Sequence, residues 1–248
     1  MGDSSVDVEH AISRAIELTH ARQHGAAGQL LLRVLCQIET QPVDADWALR
    51  LGKLADVCQL TGHPDLSLMA LRDLLGSAAP NVQPSRRCAD LLTLANCWTS
   101  LGRATAASSV NEAALALAVE HACWADAASA STNLAAFAAG SGQLDIALER
   151  LQESLGYLAQ DNGNPDTDAI TRLALLRVVD ALDADPAPAL AASADLFTRL
   201  APHVGRERWE EAAPAFQRLV ERHLAAHPEI DAQAWKRATF PRVYGDAP

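Results

Sequence analysis

Residues 131–154 read STNLAAFAAGSGQLDIALERLQES, a stretch in which a Leu-Ala pair is followed, eight residues after the leucine, by a glycine that opens a second apolar helix. The same pattern occurs three times, and each copy lies 40 residues after the one before. The copies are Leu54-Ala55 with Gly62, Leu94-Ala95 with Gly102, and Leu134-Ala135 with Gly142. A fixed period of this size is typical of helical solenoids, in which each unit is too small to bury its own apolar face and must stack on its neighbours.

The composition agrees with an all-α chain. Alanine and leucine dominate, and aromatic residues make up only 4% of the 248 residues. The net charge of −11 argues against a partner that presents a phosphate backbone, so no nucleic acid is expected. The longest apolar windows are interrupted by charged residues, and the first ten residues are acidic with no apolar centre. We therefore predict no membrane partner, no signal peptide and a cytoplasmic location.

The five cysteines also favour a reducing compartment. They are odd in number, scattered, and never two residues apart in a Cys-x-x-Cys pair. This pattern is typical of reduced, packed thiols rather than of a disulfide framework. The cysteines are Cys36, Cys58, Cys88, Cys97 and Cys123.

The pattern predicts three regions along the chain. A repeat array fills residues 1–165, with helix pairs at about 8–43, 47–80, 85–121 and 125–160. A divergent helical continuation and C-terminal cap follows at 166–228, where Asp185-Pro186 marks a turn and Pro214 begins or kinks a helix. A short helix around residues 230–237 and a tail complete residues 229–248.

Further positions within the repeats resemble the tetratricopeptide consensus, which combines small residues, an aromatic residue, a turn glycine and a closing proline. The matches are Leu54, Ala55, Gly62, Leu71 and nearby Pro80; Leu94, Ala95, Trp98, Gly102, Ala107 and Ala114; and Leu134, Ala135, Gly142, Ala147 and Leu151. The 40-residue period looks more like that of bacterial transcription-regulator and peptide-sensor proteins than the standard module. The resemblance implies a right-handed α-solenoid of antiparallel helix pairs, of bacterial type.

The resemblance also implies a concave groove, lined by the first helix of each pair, that binds a peptide or protein segment. The positions carried over to this groove are Asp56, Gln59, Leu60, Leu92, Asn96, Thr99, Ser100, Thr132, Asn133 and Ala136, with Ala139 and Gly140 beside them. This surface is small and neutral and has no lysine or arginine. A chaperone-type clamp for a C-terminal carboxylate is therefore disfavoured, since only Asn96 and Asn133 occupy clamp positions.

No catalytic motif is present: the sequence has no Walker A loop, GxGxxG, HExxH or GxSxG. We predict a non-enzymatic scaffold with no catalytic residue, no metal ligand and no cofactor. One alternative is a regulatory sensor that holds a small peptide or metabolite beside the small-residue helix at 104–118. A second is an enzyme with a site in the C-terminal third, around His203, Glu207 or His223. A third is a homo-oligomer built through the aromatic residues Trp209, Trp235, Phe240 and Tyr244.

Overall fold

Helices form all of the regular secondary structure in residues 8–77, 83–160, 164–240 and 243, which are the residues that the computed structural model describes. The predicted all-α class is confirmed. The helices are α1 (Val8–His20), α2 (His24–Glu39), α3 (Ala45–Leu60), α4 (Pro64–Gly76), α5 (Pro84–Ser100), α6 (Ala104–Glu120), α7 (Trp124–Gly140), α8 (Leu144–Leu158), α9 (Pro165–Ala181), α10 (Ala187–Ser193), α11 (Arg206–Ala226) and α12 (Ala232–Thr239). None of the helices in these ranges has the length and apolarity needed to cross a bilayer.

The predicted turn glycines all occupy the left-handed region of backbone conformation. The φ angles of Gly62, Gly102 and Gly142 are 80°, 70° and 76°. After each one, the next backbone N–H donates to the carbonyl five residues back, as Gly142's neighbour Gln143 does to Ala138 at 2.9 Å. This bond is part of the Schellman motif, which closes the C-terminus of a helix around a left-handed residue.

The same turn joins two further helix pairs that have no glycine at this position. Arg22, which lies 40 residues before Gly62, has a φ of 58°, and Asp183, which lies 41 residues after Gly142, has a φ of 54°. Gln23 and Ala184 make the matching backbone bonds, to Leu18 and Val179. The turn conformation of the glycine-marked repeats therefore recurs between α1 and α2 and between α9 and α10, where no glycine marks it in the sequence.

The helices divide into two compact units between Asp126 and Ala127, which we call the N-unit and the C-unit. The core of the N-unit is aliphatic and includes the fully buried Leu31, Leu54 and Leu71. Trp47 belongs to this core, and its indole Nε1 donates to the carbonyl of Ile38 at 3.1 Å. Asp44 is the N-cap of α3, and its carboxylate accepts a hydrogen bond from the backbone N–H of Trp47 at 2.7 Å.

The core of the C-unit combines leucines of α9 with aromatic side chains from later helices. Helix α10 is short, because 3₁₀ turns at Ala194–Phe197 and Ala201–His203 follow it in place of further α-helical turns. The Arg172 guanidinium donates to the Ala192 carbonyl and pairs with Asp195, which favours this end of the helix. Helix α11 begins at Arg206 and runs through Pro214, so Pro214 does not begin it.

Candidate peptide-binding surfaces

In the N-unit, side chains of α3 and α5 join across the surface that the resemblance assigns to the groove. Gln59 Nε2 donates to Ser100 Oγ at 3.1 Å, and Gln59 Oε1 accepts from the Cys97 thiol at 3.1 Å. One turn earlier, the Thr93 hydroxyl donates to Asp56 at 2.8 Å. These bonds hold two consecutive first helices side by side and fix the polar groups between them. We call this the α3–α5 surface.

Arg86, which is not among the predicted groove residues, also lies on this surface. Arg86 Nη2 is 3.2 Å from Asp56 Oδ2 and 2.6 Å from Asp90 Oδ1. The guanidinium lies over Gly52, where an added Cβ would be 2.3 Å from Nη2. Gly52 is therefore needed for this close approach. The four-residue spacing of Arg86 and Asp90 on a predicted helix is the sequence signal that could have revealed the pair.

The Asp90 carboxylate is fully buried, and within the described ranges its Oδ2 has no hydrogen-bond partner. Burial raises the pKa of Asp90 above its ordinary value, and the positive charge of Arg86 opposes this rise. Because Arg86 compensates a charge that water cannot reach, its guanidinium is committed to the fold. It is a poor candidate for contact with a ligand.

The part of the α3–α5 surface open to a partner is apolar and hydroxyl-bearing. Leu60 is 82% exposed, the largest value among the exposed large apolar side chains of the described residues. Asn96, Thr99 and Ser100 are exposed on α5, whereas Leu92 is half-buried. A partner would thus meet one leucine beside short polar side chains.

In the C-unit, small side chains leave a cleft of about 500 Å³ between α7, α8 and α9. Three of its lining residues, Ala136, Ala139 and Gly140, are positions that the resemblance assigns to the groove. The opposite side is formed by the last two turns of α9. The complete lining is Ala135, Ala136, Ala139, Gly140, Leu144, Leu151, Ala174, Arg177, Val178 and Ala181.

Arg177 is the only charged side chain in this lining. Its Nη1 is 3.2 Å from Glu211 Oε2, and both side chains are 58% exposed. Exposed ion pairs of this kind contribute at most about 1 kcal/mol. The guanidinium can therefore exchange Glu211 for an acidic group of a ligand at small cost.

Two other predicted groove positions on α7 are less open. Thr132 is only 7% exposed, and its hydroxyl is 2.9 Å from Ser154 Oγ and 2.7 Å from Thr171 Oγ1. This buried hydroxyl cluster links α7, α8 and α9 and presents little surface to a ligand. Asn133 is half-buried.

The C-terminal aromatic residues pack within the chain. Phe240 is fully buried, with ring centroids 4.9 Å from Phe216 and 5.7 Å from Trp235. Trp209 lies 5.1 Å from Phe197 in the same cluster. Tyr244, the fourth residue of the predicted oligomer interface, lies outside the described residues. Use of these residues between copies of the chain stays a prediction, and Phe240 has no exposed surface for it.

The residues named for the enzyme alternative do not share a site, and the helix named for the sensor alternative has no open space beside it. His203 Nδ1 is 3.0 Å from Asp166, whereas the His223 ring packs at tilted angles against His227 and Trp235, with centroid distances of 4.8 Å. On the small-residue helix α6, Ala107, Ala114 and Ala118 are fully buried. This face is therefore filled by packing instead of leaving a gap for a ligand.

Comparison with known proteins shows which solved structures have a similar fold. No family model matches the chain, and no curated protein matches it significantly. Among solved structures, the chain is similar to the TPR-like repeats of a kinesin light chain-type protein from Podosopora anserina, with a TM-score of 0.54 and 16% identity over 86% of this chain and 94% of that one. The fold is that of tetratricopeptide-like helical repeats.

Two further structures are similar to this tetratricopeptide-like chain. PilF from Pseudomonas aeruginosa gives a TM-score of 0.51 with 16% identity, covering 93% of this chain and 96% of that one. Rap protein complexed with Competence and Sporulation Factor gives a TM-score of 0.51 with 18% identity, covering 91% of this chain and 66% of that one. Identities this low establish likeness of fold and leave function to be argued from the surfaces.

Proposed function

We propose that this chain is a non-enzymatic scaffold that binds a peptide or protein segment on the first helices of its repeats. The observation that carries the proposal is the apolar cleft of about 500 Å³ in the C-unit, whose lining includes the predicted groove residues Ala136, Ala139 and Gly140. Helical repeats commonly use such surfaces for extended partners. The Rap protein in complex with Competence and Sporulation Factor is an example of a similar fold that binds a partner.

The chemistry of the cleft favours a segment with a large apolar side chain as its anchor. Nine of the ten lining residues are alanine, glycine, leucine or valine, so shape and apolar contact would select the ligand. Arg177 would add a preference for an acidic residue next to that anchor.

A metabolite is a weaker fit than a peptide. Small-molecule sites usually place several polar groups around an apolar cavity, and this lining offers the single guanidinium of Arg177. An enzymatic role would need converging reactive groups, which His203 and His223 do not form, since their neighbours differ. A cytoplasmic location remains part of the proposal and agrees with five free cysteines.

A displayed library of random linear peptides tests the proposal. We expect selection on the full chain to enrich peptides with a shared apolar anchor, and synthetic versions to bind in fluorescence anisotropy. Ala136→Phe fills the cleft from an exposed position and should weaken this binding at least tenfold. The matched control is Ala116→Phe, at an exposed alanine of α6 in the N-unit, and should bind as the wild type does.

Two results would count against the proposal. One is a library that yields no peptide with reproducible affinity for the full chain. The other is an enriched peptide whose binding is unaffected by Ala136→Phe, since its site would then lie away from the cleft.

A further inference from the structure

Three potential metal ligands meet at the start of α5 and α7 in the N-unit. Cys88 lies near the N-terminus of α5, Cys123 immediately precedes α7, and Asp126 is in the first turn of α7. One ligand atom from each residue, two thiol sulfurs and a carboxylate oxygen, lies within 4.8 Å of the other two. We propose that Cys88, Cys123 and Asp126 form a binding site for one Zn²⁺ ion.

The backbone holds two of the three ligands in a fixed turn. Ala122 has a left-handed φ of 55°, and the N–H of Cys123 donates to the carbonyl of Ala118 at 2.8 Å. Asp126 follows Cys123 after two intervening residues, which is the spacing of ligand pairs in many zinc knuckles. Cys88 approaches from α5 and is fully buried. The turn and the buried thiol thus provide a preorganised set of three ligands.

The electrostatics of the cluster also favour a cation. The Asp126 carboxylate is half-buried and lies beside two thiols, so a negative charge there is only partly solvated. A divalent cation would compensate the half-buried carboxylate and stabilise the thiolate form of the cysteines.

The ligand types point to zinc rather than to calcium or magnesium. Thiolates select borderline and soft metals, whereas calcium and magnesium take oxygen ligands. Binding of one Zn²⁺ forms two Zn–S bonds and one Zn–O bond, and the two thiol protons leave to solvent. A water molecule can complete the four ligands, since Cys123 and Asp126 are only half-buried.

The cluster needs only a small contraction to bind the ion. With Zn–S bonds of about 2.3 Å and tetrahedral angles, the two sulfurs would be about 3.8 Å apart. The ligand atoms are already within 4.8 Å of one another, so side-chain rotation at Cys123 and Asp126 can close the remaining gap.

Titration of the reduced, chelator-treated full chain with Co²⁺ tests the site. We expect one Co²⁺ per chain, with a sulfur-to-cobalt charge-transfer band and the visible bands of tetrahedral cobalt, all of which Zn²⁺ should displace. Asp126→Asn should weaken binding at least 10-fold, because it removes one of the three protein ligands, and loss of a residue that only supports a ligand already costs about 10-fold to 100-fold. Cys123→Ser should remove most of the charge-transfer intensity.

The controls separate this cluster from adventitious thiol binding. Cys36→Ser changes an exposed cysteine, and Asp145→Asn changes an exposed first-turn carboxylate on α8, so both should leave the spectrum and the stoichiometry unchanged. Cys123→Ser and Asp126→Asn alter half-buried side chains, and circular dichroism will verify that both variants fold.

Three results would overturn the proposal. The first is a reduced chain that binds no Co²⁺ and no Zn²⁺ at micromolar concentrations. The second is a spectrum that persists in Cys123→Ser. The third is the isolation of a chain with a Cys88–Cys123 disulfide, seen as the loss of two hydrogens in its mass, that binds no metal after the disulfide has been reduced.

Discussion

Arg86 Nη2 lies 2.6 Å from Oδ1 of Asp90, and this carboxylate has no exposed surface. A second contact, of 3.2 Å, joins the same nitrogen to Asp56 on the preceding first helix. The pair within α5 is thus also part of the contact between α3 and α5. A buried charge is strongly destabilising when its partner is removed, so this relationship makes a measurable prediction.

We expect Arg86→Ala to lower the free energy of unfolding by about 3 kcal/mol, because it leaves the Asp90 charge buried and uncompensated. The double variant with Asp90→Asn should recover much of this loss. Urea unfolding at neutral pH measures both. A loss no larger than that from Arg103→Ala, at an exposed arginine, would contradict this view of the pair.

Asp90 should also make stability depend on pH. Its pKa in the folded chain is raised above the ordinary value of 3.8, so its contribution to stability is fully present below that value and is lost as pH rises through the raised folded pKa. Asp90→Asn should therefore flatten the stability profile above pH 3.8. Asp56→Asn, at a half-buried carboxylate, provides the comparison. Equal profiles for wild type and Asp90→Asn would contradict the prediction.

At the left-handed turn positions, substitution to glycine should raise the free energy of unfolding and substitution to alanine should lower it. Arg22→Gly should stabilise the chain by about 1 kcal/mol, because a left-handed conformation costs a residue with a Cβ about that amount. Gly102→Ala should destabilise it by a similar amount, although an added Cβ has no atom within 4 Å there. Gly25→Ala, at a right-handed helical glycine with equally open space, should be neutral or stabilising. Chemical unfolding of the three variants measures these effects.

The cysteines should differ sharply in reactivity. Burial raises the pKa of Cys58 to about 12, so at pH 8 only about one thiol in ten thousand would be the reactive thiolate. Cys36 is exposed and should react first with iodoacetamide, with Cys58 labelled only after unfolding. Peptide mapping by mass spectrometry gives the order. Early labelling of Cys58 in the folded chain would show that its surroundings open readily.

Phe240 anchors the C-terminal helix to the C-unit. Phe240→Ala should cost about 3 kcal/mol, as expected when a fully buried phenylalanine is removed. Trp235→Ala should cost less because the indole is half-buried. Near-ultraviolet circular dichroism during urea unfolding follows the aromatic cluster directly. A Phe240→Ala variant as stable as wild type would mean that α12 docks without this side chain.

Periodicity predicted the helices well because each repeat contains local signals, a stripe of apolar residues and a glycine at the turn. Gly62, Gly102 and Gly142 lie at turns whose left-handed conformation would be strained for a residue with a Cβ. The positions of these turns can therefore be read from the glycines in the sequence. Arg22 and Asp183 are exposed and adopt the same left-handed conformation without a glycine, so a search for glycine does not find their turns. The predicted domain limits and the use of the groove positions stay predictions.

The surfaces were predicted less completely than the helices. The resemblance placed Ala136 and Gly140 on a ligand-facing surface, and both line the cleft. Arg86 was missed because its role depends on Asp56 of another helix. Cys88 lies 35 residues before Cys123, and only the stacking of successive helix pairs brings Cys88 within reach of Cys123 and Asp126. Such long-range convergence has no signature in spacing alone.

The regular interval between Gly62 and Gly102 has a consequence for the length of the chain. Excision of residues 63–102 would join Gly62 directly to Arg103, so a left-handed glycine would still precede a second helix. Deletion of a few residues more or fewer would shift the second helix relative to this glycine and turn its apolar face away from the core, by about 100° per residue. Viable relatives of this chain should therefore differ in length by whole helix pairs, gained or lost as single blocks.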